Sequence, residues 1–122
     1  MIGYVTLGTN DLDRAAAFYD ALLGELGATR ALQDERFIAW ATAEGDSMLS
    51  IIRPFDENPA SVGNGSMVAL ALENPGQVDA VYQKAMELGA GDEGAPGERG
   101  PGFYAAYFRD PDGNKLAVFK TG

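Results

Sequence analysis

The sequence contains no histidine and no cysteine. It therefore lacks the commonest general base and the commonest transition-metal ligand, both of which are histidine. It also lacks any thiolate nucleophile or disulfide. No Ser-His-Asp arrangement is possible. Carboxylates, carbonyls and water remain as ligands for a hard cation. The other groups able to do chemistry are few. Arg99 stands beside Phe103 near the end of a glycine-rich stretch, where a closing loop could bring it onto an anionic ligand. Arg109 precedes "DPDG" and can capture an anion or pair with a local aspartate. Trp40, the single tryptophan, can serve as a stacking platform or a core wall. Asp92, Glu93 and Glu98 are expected to face solvent.

These groups are carried by a short chain. Its 122 residues, 46% hydrophobic and 22% charged, suit one globular domain built from two halves. The net charge of −9 argues against a nucleic-acid partner, which needs a basic footprint. No apolar run reaches the length of about 20 residues needed to span a bilayer. No basic segment followed by an apolar one reads as a signal peptide, so a cytoplasmic location is expected.

The elements come in two matching sets. "GYVTLGT" (3–9) reads as a strand, and residues 10–28 as a helix capped by Asn10 or Asp11, striped by Ala15, Tyr19, Leu22 and Leu26, and stopped near Gly27. Strands follow at 36–42 and 47–53. Residues 54–65, with two prolines, two glycines and two asparagines, read as a linker, taken as 55–65 between a module of residues 1–54 and a module of 66–122. The pattern then restarts with a strand at 66–72. A second helix follows over 74–90, with Asn74 as cap, Pro75 at the first position, Gln77 in the capping-box position and Val78, Val81, Tyr82 and Ala85 as its apolar face. Residues 91–102 read as a long glycine-rich loop. The chain closes on a hairpin, 103–109 and 115–120, over "DPDGN", whose Asp, Pro and Gly have the chemistry of a turn. The offset between halves is roughly 63 to 67 residues, which matches Tyr4 with Met67 and Ser50 with Ala117. One helix per half covers one sheet face, so the other is expected to line a cavity between the sheets.

The stretches "YVTLGTNDLDRAAAFYDALLGELGA", "GNGSMVALAL" and "GFYAAYFRDPDGNKLAVF", in this order, resemble the vicinal oxygen chelate superfamily of glyoxalases, bleomycin-resistance proteins and extradiol dioxygenases. The resemblance implies an α+β fold of two tandem βαβββ modules forming a half-open barrel with a central cavity. It also implies a metal held at four inward positions, which here are Tyr4, Ser50, Met67 and Ala117. None is a usual divalent-metal ligand, so a divergent member with no metal and no other cofactor is expected. Strand alternation from these positions turns Thr6, Ala69, Met48, Ile52, Lys115 and Phe119 to the same side. The expected ligand-binding set is Tyr4, Thr6, Trp40, Ser50, Met67, Arg99, Phe103, Ala117 and Phe119. Phe37 remains an alternative to Trp40, and Tyr107 an alternative to Tyr104. Tyr4 would stand at the cavity floor and donate to a carbonyl. Three functions are consistent with this. The first is metal-independent binding of a small organic molecule. The second is a lyase or isomerase acting on a small carbonyl or thiol-conjugated substrate, with Tyr4 and a nearby acid as its pair. The third is a ligand-free interaction module. The resemblance also implies a homodimer.

Overall fold

The computed structural model describes residues 1–122. The chain divides into two compact units, Met1–Gly63 and Asn64–Gly122, each with its own four-stranded sheet.

The first unit runs β1 (Tyr4–Gly8), α1 (Leu12–Gly24), β2 (Thr29–Gln33), β3 (Phe37–Ala41) and β4 (Met48–Ile52). Its sheet has the order β1-β4-β3-β2, with β1 parallel to β4 and the other pairs antiparallel. Asp11 caps α1, its carboxylate accepting from the Arg14 N–H at 3.0 Å. The chain leaves the helix through Gly27 at φ +77°, and the Ala28 N–H reaches back to the Leu23 carbonyl. Phe18, Tyr19, Leu22 and Leu23 are buried on the helix side, as are Ile38, Trp40, Leu49 and Ile51 on the sheet. In β4 these core residues alternate with Met48, Ser50 and Ile52, which face the other way.

The second unit repeats the plan: β5 (Val68–Ala71), α2 (Pro75–Glu87), β6 (Gly91–Glu98), β7 (Phe103–Arg109) and β8 (Lys115–Thr121), in the order β5-β8-β7-β6. Asn74 caps α2 by accepting from the Gln77 N–H, while the Gln77 side chain accepts from the Glu73 N–H. Gly89 at φ +86° and the Ala90 N–H to Ala85 carbonyl bond repeat the first helix's exit. Val78, Val81 and Ala85 are fully buried, with Phe108, Leu116 and Val118 in the same core. The fold class is thus α+β with two tandem βαβββ modules, and each sheet is open-ended.

Two segments differ from the sequence reading. Residues 91–98, expected as loop, form strand β6. It lies at a sheet edge with two register irregularities, where its glycines and Pro96 are tolerated. Residues 29–33, left unassigned, form edge strand β2. The linker stretch 55–65 carries no helix or strand, and within it Ala60 is bonded through both its N–H and its carbonyl to the Asn10 side chain. The "DPDGN" turn forms as expected: Asp110 accepts from the N–H groups of Asp112 and Asn114, and Gly113 has φ +90°. No helix is long and apolar enough to cross a membrane.

Candidate functional site

On the face of the first sheet away from α1, cross-strand pairing puts Thr6 opposite Ser50, Tyr4 opposite Met48, Ser50 opposite Ala39 and Phe37 opposite Ile52. Ala39 and Ser50 are small and central, so a cleft of about 340 Å³ opens there, lined by Tyr4, Thr6, Leu32, Phe37, Met48, Ser50 and Ile52. That volume lies in the range of small-molecule sites. Its lining is chiefly apolar and holds no carboxylate, amine or guanidinium.

The polar groups of this cleft are ordered by proton count. The Ser50 hydroxyl donates to the Val5 carbonyl at 3.2 Å and lies 2.8 Å from the Thr6 hydroxyl. A hydroxyl has one proton. Thr6 therefore donates to Ser50, and its own lone pairs face the cleft as acceptors. Ser50 is 3% exposed and has no free donor left. Tyr4 is 65% exposed, at the rim rather than the floor, because it is the first residue of β1.

Trp40 does not line the cleft. It points to the helix side, 2% exposed, and its indole N–H donates to Asp20 at 2.9 Å. Phe37 takes the wall position, three residues and hence the opposite strand parity away. Asp20 also receives a two-pronged bond from Arg30 at 3.0 and 2.7 Å. The Arg30 bonds chiefly, and the Trp40 bond with them, hold the Asp20 carboxyl below its ordinary range against partial desolvation.

The remaining expected residues belong to the second unit. Ala117 lies opposite Ala69 and Tyr107, and Phe119 opposite Ala71 and Ala105. The Phe103 and Phe119 rings meet at 5.6 Å. Tyr107 shares this face. Tyr104 points to the helix side, its hydroxyl donating to Asp79 at 2.6 Å, and that bond raises the phenol's pKa. Met67 lies one residue before β5 and is exposed. Arg99 is not on a long loop: β6 ends at Glu98, and the Arg99 N–H bonds the Phe103 carbonyl across a tight turn. Arg109 is engaged by Glu93 and by the Gly113 carbonyl.

One lining residue, Leu32, escaped the sequence, and a second, Phe37, stood only as an alternative. Leu32 was hidden because β2 carries no strong strand pattern. Phe37 was visible, but its choice over Trp40 depended on register. A broader, more polar hollow of about 800 Å³ lies between Arg36, Arg53 and Glu57. Arg36 there is already spent on the Pro54 carbonyl and the Phe55 ring, and Glu35 and Glu57 offset its charge.

The four positions implied for a metal do not fit one. The first unit offers an exposed phenol and a serine whose proton is committed; the second offers a thioether and a methyl group. No group of three or more Asp, Glu, His or Cys side chains stands together elsewhere.

Two tandem βαβββ units, each a mixed four-stranded sheet with a helix on one face, define a glyoxalase-type fold. Residues 1–118 match the glyoxalase/bleomycin resistance protein/dioxygenase superfamily, and the chain belongs to that family. It is similar to a glyoxalase/bleomycin resistance protein from Albidiferax ferrireducens T118, with 35% identity, a TM-score of 0.92, and coverage of 100% of this chain and 99% of that one. A lactoylglutathione lyase from Agrobacterium tumefaciens is 23% identical with a TM-score of 0.76, over 98% of this chain and 92% of that one. A family enzyme from Burkholderia phytofirmans PsJN is 19% identical with a TM-score of 0.78, over 98% of each chain. The last two are likenesses of fold alone. No curated protein matches.

Proposed function

We propose that this protein binds a small, uncharged, largely apolar organic molecule in the first unit's cleft without a metal ion, and acts by holding it rather than converting it. The observation that carries this reading is the lining itself. It has apolar walls, an acceptor at Thr6 and a phenol at the rim, and no carboxylate, imidazole, thiol or amine. Acid–base catalysis by the pair named for this cleft needs a carboxylic acid beside Tyr4, with the acting group within about 3 Å of the reacting atom. Tyr4 has no carboxylate partner in that lining, so the lyase or isomerase reading lacks its acid. The ligand would carry a hydroxyl or N–H to meet Thr6. We expect the protein to act in the cytoplasm as a homodimer, with exposed Phe55 and Val62 as apolar surface available for pairing.

The test is a binding titration with naphthol in chelator-treated buffer, against methoxynaphthalene, which has no donor. Naphthol should bind saturably and about fivefold more tightly, the worth of one net hydrogen bond. Added Zn²⁺, Ni²⁺, Mn²⁺ or Fe²⁺ should leave the affinity and the melting temperature unchanged. A saturable rise in melting temperature with any of these ions would overturn the metal-independent reading.

A further inference from the structure

The open face of the second sheet carries a different chemistry. The Arg99 guanidinium lies 5.4 Å from the Tyr107 ring centroid, and the Lys115 ammonium lies 5.5 Å from the same centroid. The two cations are therefore within roughly 11 Å of each other, about one screening length at moderate salt, and they repel. Neither has a carboxylate at ion-pair distance, although the chain carries a net charge of −9. Arg109, opposite Lys115 in register, is already neutralised by Glu93.

Arg99 is held in this position by its surroundings. Its guanidinium donates to the Ala95 carbonyl at 2.6 Å. It also lies against Gly94 and Gly97, two of the three β6 glycines. A Cβ on Gly97 would come within 2.9 Å of one guanidinium nitrogen, and one on Gly94 within 3.2 Å of the other and of the Tyr107 ring. The bare backbone of β6 thus makes a slot between strand and ring. A long, flexible cation lodged there has lost much of its side-chain entropy before any anion arrives. Next to it the face turns apolar: Ala117 lies opposite Tyr107, then Phe119 opposite Ala105, with Phe103 stacked on Phe119.

We propose that this face binds a small carboxylate with a flat apolar body. The positive field of Arg99 and Lys115 draws the carboxylate to the side of Tyr107, and the body lies toward Phe103 and Phe119. Opposite charge draws the carboxylate to the two cations, and the spacing of about 7 Å between successive same-face positions along a strand suits one ring. The inference goes beyond the proposed function and uses none of its residues, so either can fail without the other.

The experiment is calorimetric titration of the full chain at low salt with benzoate, benzamide and inorganic phosphate. Benzoate should bind saturably, and benzamide and phosphate each at least about tenfold more weakly. Arg99→Gln and Lys115→Gln should each weaken benzoate by about tenfold, and added salt should weaken it for the parent chain. Gly97→Ala keeps every charge and meets only the far end of a flexible side chain, so the fold should be retained. It should nevertheless weaken benzoate as Arg99→Gln does, because the slot is filled. Absence of saturable benzoate binding, equal binding of benzamide or phosphate, or indifference to Arg99→Gln, Lys115→Gln or Gly97→Ala would overturn the proposal.

Discussion

The two units share a backbone plan and differ in what they place on it. Thr6 opposite Ser50 in the first corresponds to Ala69 opposite Ala117 in the second. Ala39 corresponds to Tyr107, and Phe37 opposite Ile52 to Ala105 opposite Phe119. On the first sheet the small residues are central and the large one lies to the side, so a cleft opens with bonded hydroxyls at its base. On the second the centre is filled by an aromatic ring with one cation near it from β8 and another from the turn that follows β6. The helix-side residues at these levels remain apolar in both, since Trp40 opposite Leu49 corresponds to Phe108 opposite Leu116. The core face is constrained by burial against a helix. The open face is released from that constraint, and there the halves have diverged in size and charge.

The largest effects should show that the core faces are alike. Trp40→Ala and Phe108→Ala each empty a fully packed site and should each cost about 3–5 kcal/mol in urea unfolding. A small cost for one of them would break the equivalence. Smaller changes separate the units. Asp20→Ala leaves the buried Trp40 N–H without its acceptor and should cost about 1–3 kcal/mol, whereas Asp20→Asn keeps an acceptor, loses only the exposed Arg30 pairing, and should cost under about 1 kcal/mol. Ser50→Ala gives the first sheet the residue the second already has. It should cost about 1 kcal/mol and lower naphthol affinity, because Thr6 loses the acceptor that orients it. The smallest effect is that of pH. The Asp20 carboxyl is depressed below 3.8, so its contribution is present above that value and lost as pH falls through the lower folded value. The stability gap between the parent chain and Asp20→Asn should therefore be constant near neutrality and close only in strong acid.

Much of this comparison was legible in the sequence. The repeat offset matched Ser50 with Ala117, and the registers agree. Alternation from Tyr4 put Thr6, and alternation from Ser50 put Met48 and Ile52, on one face, which is where they lie. The helices announced themselves through Asn10 or Asp11, of which Asp11 is the cap, and through Asn74 and Pro75, since capping is local chemistry. What stayed hidden depended on pairing across space. β6 reads as loop because Gly94, Pro96 and Gly97 oppose strand formation locally, and it forms only because β7 offers a ladder. The slot for Arg99 could not be seen without that strand. Phe37 and Trp40 could not be told apart until register fixed their parity, and the exposure of Tyr4 follows from its place at the strand's first residue.

The difference between the two open faces is tested most directly by amide chemical-shift mapping of one sample titrated separately with naphthol and with benzoate. Naphthol should move the amides of Thr6, Phe37 and Ser50, and benzoate those of Arg99, Tyr107 and Lys115, each leaving the other set in place. Both compounds moving one common set, or naphthol moving none of the first sheet's residues, would contradict the assignment of separate chemistries to the two halves.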